Sequence, residues 1–549
     1  SDTCVPDASA CADGTVLVTG GRDKDADILS SAEVWDPTTL QSTLLSAELT
    51  TPRTEHTATL LPTRETLLAA GRDRHGVLFS SELLTREGAL TALPANLQIP
   101  RAGHTATLLP DGRVLILGGV DASRLSLGEG EEFAVPSGAL YDPRSGAFAL
   151  LPHALHIPRH HHTATLLPTG QVLVVGGRHE DEVLGSAEVV DPATGESHLL
   201  DAHLHTARVR HTASLLNDGR VLIAGGRHRD RELDTVEVCD PATETFHRLR
   251  PTLQRPRFNH TATGLPTGEI LLAGGRLDAD EDPSRRTELY RVPGRDTTPP
   301  TILDSSPASG ATGVSHTPLI GIQFSEPIKV TTLTSTTLTV SGPEGTVAGT
   351  VSPGEEGPLA FFVPAAPLAP GTTYTVTLQG LTDRAGNPLA TVTSRFTTVA
   401  APTITGFTPD SGPPGMAVTI NGQNFDPVAA NNQVKFNGVT ATVTSATTTT
   451  ITTTVPGAAT TGPITVTTRG GTATSATNFT VITGPVITSF SPTSGPVGTA
   501  VTITGQNFDP VAANNQVKFN GVSAIITSAT TTTITTTVPQ GATTGPITL

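Results

Sequence analysis

Much of what builds enzymes and helical proteins is scarce in this chain. Aromatic residues make up 4 % of its 549 residues and charged residues 15 %. No long run rich in Ala, Glu, Lys and Leu recurs at helical spacing, so a helical fold is excluded. The three cysteines are too few for a disulfide framework. Only Cys4 and Cys11 are close enough in sequence to staple the N-terminal edge, in an oxidising compartment, and Cys239 has no local partner. No apolar run approaches the ~20 residues of a membrane span. Net charge is −16 with no basic stripe, which argues against nucleic acid, because phosphate neutralisation needs a basic face. There is no Gly-x-Ser-x-Gly elbow, phosphate loop, dinucleotide fingerprint or His-Glu-x-x-His.

What is present is short β-branched runs punctuated by Gly, Pro and Asn-Gly or Asp-Gly, the pattern of all-β modules. The length implies several domains. The two halves differ in chemistry. Residues 1–296 carry 41 acids, 28 bases and sixteen of the seventeen histidines, whereas the rest is Thr-rich with nine acids and six bases. A start at Ser1 fits a removed signal peptide as well as a fragment.

The first half repeats. Arg53-x-x-His56, Arg101-x-x-His104, Arg159-x-x-His162, Arg208-x-x-His211 and Arg257-x-x-His260 each lead into Thr-Ala and an apolar run. The second glycine of a Gly-Gly (Ala-Gly once) follows fifteen residues after each His: Gly71, Gly119, Gly177, Gly226 and Gly275. Gly20-Gly21 opens the series, and counting back from it lands on Pro6, a degenerate first copy. After each pair come a charged loop, a strand such as "SAEVVDP", and a shorter strand such as "GAFALLP". Four strands in about fifty residues is the size of one propeller blade.

These residues resemble the kelch repeat. The resemblance implies a six-bladed kelch-type β-propeller over 1–296. The family's outer-strand Trp is replaced by Phe148 or Phe246 in two blades and by Ser42 or Ser197 in others. The sixth blade shows no clear outer strand after "TELYRVPG", so ring closure must borrow a strand or stay open.

A second system follows. Residues 297–399, with a Pro-rich start, "FSEPI" and "DRAGNPLA", resemble a bacterial Ig-like domain. "GQNFDPVAANNQVKFNGV" occurs at Gly422–Val439 and again at Gly505–Val522. Asn437-Gly438 and Asn520-Gly521 between apolar strands signal two-residue hairpins. These copies resemble IPT/TIG domains at 400–483 and 484–549. The fold class expected is therefore all-β, a propeller plus three Ig-like sandwiches. Leu549 aligns with Val466 of the first copy, so the last sandwich reads as incomplete. Either the chain continues, or another subunit completes the sheet by β-augmentation, which would permit self-assembly into a fibre.

A His in one register of five blades is most simply scaffold at the start of the innermost strand, its Arg pairing an acidic residue of a neighbouring blade. A metal needs three or four ligands converging on one point, not a wide circle. His160 and His161 are local additions; with His153 and His156 nearby they could form a surface transition-metal site, but a solvated histidine-rich loop is the simpler reading. Asp23, Asp25 and Asp27, and Asp278, Asp280, Glu281 and Asp282, offer oxygen-rich loops that suit Ca²⁺, without the Gly and distal Glu of an EF-hand. Loops after the glycine pairs should gather on one rim, which is where a propeller would bind a partner. That rim is Arg22, Asp23, Arg72, Asp73, Asp121, Arg178, His179, Arg227, His228, Arg276 and Asp278. Cys239 stands where other blades have Trp35, Tyr141, Val190 and Tyr290, an apolar register. The alternative is a galactose-oxidase-like copper enzyme, whose family pairs kelch blades with an Ig-like domain and uses two Tyr, two His and a Cys. Here Tyr141 and Tyr290 occupy repeat positions, and only His316 stands as a counterpart of that family's C-terminal His.

The expectation is a non-catalytic secreted or cell-surface protein, with a propeller head for a protein or glycan ligand on Ig-like modules. No cofactor is expected other than calcium.

Overall fold

The computed structural model describes all residues except 1–15, 24–26, 37–38, 40, 86–87, 122–132, 266–268, 278–283, 285, 292–295 and 355–357. The Cys4–Cys11 pairing, Asp25 and the Asp278–Asp280–Asp282 loop therefore fall outside the described residues. So do the segments that would hold the leading strand of the first blade and any outer strand of the sixth.

The fold is all-β, and the only helical elements among the described residues are three-residue 3₁₀ turns. Among the described residues, six antiparallel sheets succeed one another between Val16 and Arg291, the first and last with three strands and the others with four, and four two-stranded hairpins accompany them. The blade running Thr163–Leu166, Val172–Val175, Ala187–Asp191 and Glu196–Leu199 is representative, each strand pairing with the next in sequence. Its second strand, like Val114–Leu117 and Val221–Ala224, is buried along its whole length. Such unbroken apolar runs are expected of a strand covered on both faces, here by the neighbouring blades. Innermost strands of adjacent sheets lie side by side in order. The glycine pairs permit this approach. At Gly118 (φ 60°) a Cβ would lie 2.8 Å from the His162 ring of the next blade, while the Gly119 N–H donates to the Arg159 carbonyl (2.9 Å).

The bacterial Ig-like sandwich packs four strands against five. It sits on the propeller through the turns that join the first and second strands of the blades. Arg64 donates to the Val351 carbonyl (2.7 Å), and the Ser352 hydroxyl donates to the Pro62 carbonyl (3.0 Å). The Gln323 amide donates to the carbonyls of Leu167 and Pro168. Leu359 and Phe361 are buried in the same apolar cluster as Leu61, Leu109 and Val114 of the blades. Gly321 allows the contact, since a Cβ there would overlap the Pro110 carbonyl. Propeller and first sandwich accordingly form one compact unit, Ser1–Thr398.

The second unit, Val399–Leu549, holds the duplicated sequence. The first copy has sheets of four and five strands, the second sheets of four and three. Both hairpins take the turn expected of Asn-Gly, with Asn437 and Asn520 at φ 44° and the glycines at 88°. The Thr runs form strands: in Thr450–Thr454, Ile451 and Thr453 point inward, and the buried Thr453 hydroxyl donates to the Thr442 carbonyl (2.8 Å).

Candidate ligand pocket at the propeller axis

Two buried rings surround the axis. The outer one is the five arginines, each at most 2 % exposed. The Arg159 guanidinium donates to the carbonyls of Gly176 and Ser186 and to Glu188 (2.6 Å). Arg53 meets Glu82 (2.6 Å), Arg208 meets Glu237, and Arg257 meets Glu288 (3.3 Å). Each carboxylate lies on the sheet that the arginine's segment leads into, whereas the arginine backbone is bonded to the preceding sheet, as when the Gly177 N–H donates to the Arg208 carbonyl (2.9 Å), so the pair spans neighbouring blades as expected. The carboxylates also accept backbone N–H groups of the segment that enters the blade, as Glu237 does from His205 and Thr206. The pair thus ties the crossing segment, which is bonded to one blade (Leu204 N–H to the Gly185 carbonyl, 2.8 Å), to the glutamate of the next. Among the described residues Arg101 has no carboxylate in that register, where Ala139 stands; it donates to Gly118 and Ser137, with the Asp121 charge nearby.

The inner ring is the histidines, and it does join blades. His104 Nε2 lies 3.0 Å from Thr57 Oγ1 of the preceding blade, and His162, His211 and His260 repeat this with Thr105, Thr163 and Thr212. His56 uses Thr19 (3.0 Å). Burial, reinforced by the adjacent arginine, depresses all five pKa values; His56 and His260 fall to about 3. They are neutral at pH 7. The scaffold role expected of them is what this geometry provides.

Of the residues immediately before these histidines, only His161 stands out in the sequence. They are Glu55, Gly103, His161, Arg210 and Asn259, and all five take φ between 48° and 65°. The cause is a run of backbone hydrogen bonds from blade to blade. Gly103 N–H donates to the Glu55 carbonyl (3.1 Å), His161 to Gly103 (2.8 Å), Arg210 to His161 (3.1 Å) and Asn259 to Arg210 (3.0 Å). Four non-glycine residues hold this left-handed conformation, which costs of order 1 kcal/mol each and is characteristic of functional sites. With Arg22, Thr54, His56, His104 and His162 they line a cavity of about 190 Å³.

Charge is concentrated here. Burial works against the Glu55 carboxylate, but the His161 contact and the Arg72 and Arg210 guanidinium groups hold its pKa at about 2. Arg72 lies 2.8 Å from Glu55, His161 3.6 Å and Arg210 3.9 Å. His160 and His161 are not a solvated loop. His160 is 7 % exposed, its Nδ1 lies 2.6 Å from that of His161, and burial brings its pKa to about 3. The His161 ring lies over Gly103, where a Cβ would come within 2.9 Å. Packing, not solvation, holds the triple histidine.

Of the rim residues, Arg22 and Arg72 reach the mouth. Asp23 and Asp73 spend a carboxylate oxygen on their own turns, accepting from Asp27 N–H and from His75 and Gly76 N–H. Asp121, Arg178, His179, Arg227 and His228 lie on two-residue strands beside the mouth, with Arg227 stacked 5.7 Å from the Phe258 ring centre. Arg276 ends the strand paired with Phe258. Cys239, Tyr141 and Tyr290 are buried in three separate apolar clusters. Burial pushes the Cys239 thiol up to about 12, so it is packed as core, and the residues of the copper reading are not brought together.

Fold and site define a modular all-β protein with a propeller carrying an axial pocket. The comparisons agree: a Kelch motif matches residues 8–46, a bacterial Ig-like domain 296–398, and IPT/TIG domains 402–481 and 485–549. No curated protein matches the chain. These are domains of modular binding and structural proteins, typically without catalytic function, and the Ig-like types are typical of surface or extracellular proteins.

Proposed function

We propose that this chain is a non-catalytic extracellular or cell-surface adhesive protein, whose propeller binds a protein or glycan at the axial mouth while the IPT/TIG domains act as spacers. The supporting observation is the contrast at one backbone position. Five blades hold the same left-handed residue, yet its side chain is carboxylate, hydrogen, imidazole, guanidinium and carboxamide in turn. A scaffold requirement would select one small residue at all five; varied chemistry on a rigid ring suits recognition. The cavity is smaller than the ~300–1,000 Å³ of pockets that engulf a whole ligand. It therefore takes the tip of a larger molecule, a side chain or a terminal sugar, with the rim hairpins contacting the remainder.

The test is to probe immobilised glycans and extracellular-matrix proteins with the labelled chain and with its Arg210→Ala and His161→Ala variants. Binding weakened at least tenfold in the variants, with unchanged melting, is the expected outcome. Equal binding by wild type and both variants would remove the axial mouth from the function. Stoichiometric copper with oxidase turnover in the native protein would replace the reading with an enzymatic one.

A further inference from the structure

At the other end of the propeller, where the blade turns meet the first sandwich, three carboxylates converge that the axial pocket does not use. Asp296 stands at the junction of the two domains, Glu326 follows the strand Ile320–Phe324, and Asp383 follows Thr373–Leu378. One carboxylate oxygen from each lies within 4.8 Å of the others. Asp383 is fully buried, Glu326 is 2 % exposed and Asp296 is half-buried.

The hydrogen bonds leave one gap. Asp383 accepts from the Asn387 backbone N–H and side-chain amide (both 2.7 Å), and Asp296 accepts from the Asn217 amide of a blade turn (3.1 Å). Glu326, which contributes one oxygen to the cluster, has its Oε2 buried with no hydrogen-bond partner. The charges that act most on Glu326 are negative, those of Asp296, Asp383 and Asp218, and its side chain comes within hydrogen-bonding reach of the Asp296 carboxyl. A buried carboxylate without a donor or a counter-charge is strongly unfavourable, and a cation among the three removes that cost.

We propose that Asp296, Glu326 and Asp383 form a Ca²⁺ site that fastens the first Ig-like sandwich to the propeller. Ca²⁺ takes six to eight oxygens at about 2.3–2.6 Å, so opposite ligands stand about 5 Å apart, a span the three oxygens already meet. Three carboxylates, mono- or bidentate, supply three to six of those ligands, and water reaches the half-buried Asp296 side. Mg²⁺ fits less well, because it keeps several waters and these walls are buried. Through Asn217 the site also bears on the propeller, which joins the two domains electrostatically as well as by packing. The inference is independent of the axial pocket.

The test uses the full chain freed of metal with a chelator, titrated with CaCl₂ in a calorimeter and melted with and without Ca²⁺, MgCl₂ serving as control. Calcium uptake and a higher melting temperature of the wild type are expected. Glu326→Gln should fold, shown by an unchanged near-ultraviolet dichroism spectrum, yet bind at least a hundredfold more weakly and lose the thermal response. Asp296→Asn, at the half-exposed ligand, should behave likewise. No calcium-dependent change in the wild type overturns the proposal and leaves a proton as the group that neutralises the cluster. A thermal response preserved in both variants also overturns it, by placing the bound calcium elsewhere.

Discussion

The ring of histidines and the ring of residues just before them are one peptide bond apart, yet they follow opposite rules. The histidines are identical, buried and neutral, and each is spent on a threonine of the preceding blade. Their neighbours are half-buried, chemically different in all five described blades, and held in the same left-handed conformation by a chain of backbone hydrogen bonds. The difference teaches that repetition marks what the propeller needs in order to stand. Departure from repetition at a fixed backbone position marks what it can recognise.

Acid should separate the rings most sharply. The ring histidines have pKa values below the unfolded value of about 6.5, so the unfolded state binds more protons as pH falls beneath it. Stability present above pH 6.5 is then lost toward pH 3, at roughly 1.4 kcal/mol per pH unit for each histidine. Five acting together exceed any single substitution within about one pH unit, and denaturant midpoints at pH 7, 6 and 5 should fall steeply. A flat profile would show that the histidines are not buried as neutral groups.

Among substitutions, Arg208→Met strands the Glu237 carboxylate and should cost about 3–5 kcal/mol in chemical denaturation. Arg101→Met strands no charge and should cost clearly less; equal losses would mean that the buried pairs do not distinguish the blades. Thr105→Val removes the partner of His162 Nε2 and should cost about 1–3 kcal/mol. The smallest effect belongs to the mouth. Arg210→Gly relieves a left-handed residue and should change stability by less than about 1 kcal/mol, toward stabilisation, while abolishing ligand binding. A large loss there would move Arg210 from recognition to scaffold.

Most of the architecture was legible. The spacing of Arg-x-x-His and Gly-Gly signalled the blades, because a close-packed repeat must reuse the same contacts, and the Asn-Gly pairs signalled two hairpins whose backbone only such residues adopt comfortably. The site was less legible. The charged loops drew notice by composition, but Asp23 and Asp73 serve their own turns. Glu55, Gly103, Arg210 and Asn259 passed as the unremarked second "x" of a motif. Their variation was the available signal, and it acquires meaning only once the left-handed backbone is seen. His160 and His161 were misjudged because three histidines in a row look hydrophilic, whereas a glycine in the preceding blade makes room for the ring.

Sequence alone determined the β class, the repeat length and the identity of the structural histidines, since these depend on local pattern and on contacts repeated blade after blade. Tertiary structure alone decided which carboxylate meets each arginine, which residues face the axis, and that Asp296, Glu326 and Asp383 meet. Those three are separated by tens of residues and belong to no repeat. Only the packing of a sandwich against blade turns brings such groups within reach, and proximity of that kind leaves no periodic trace in a chain.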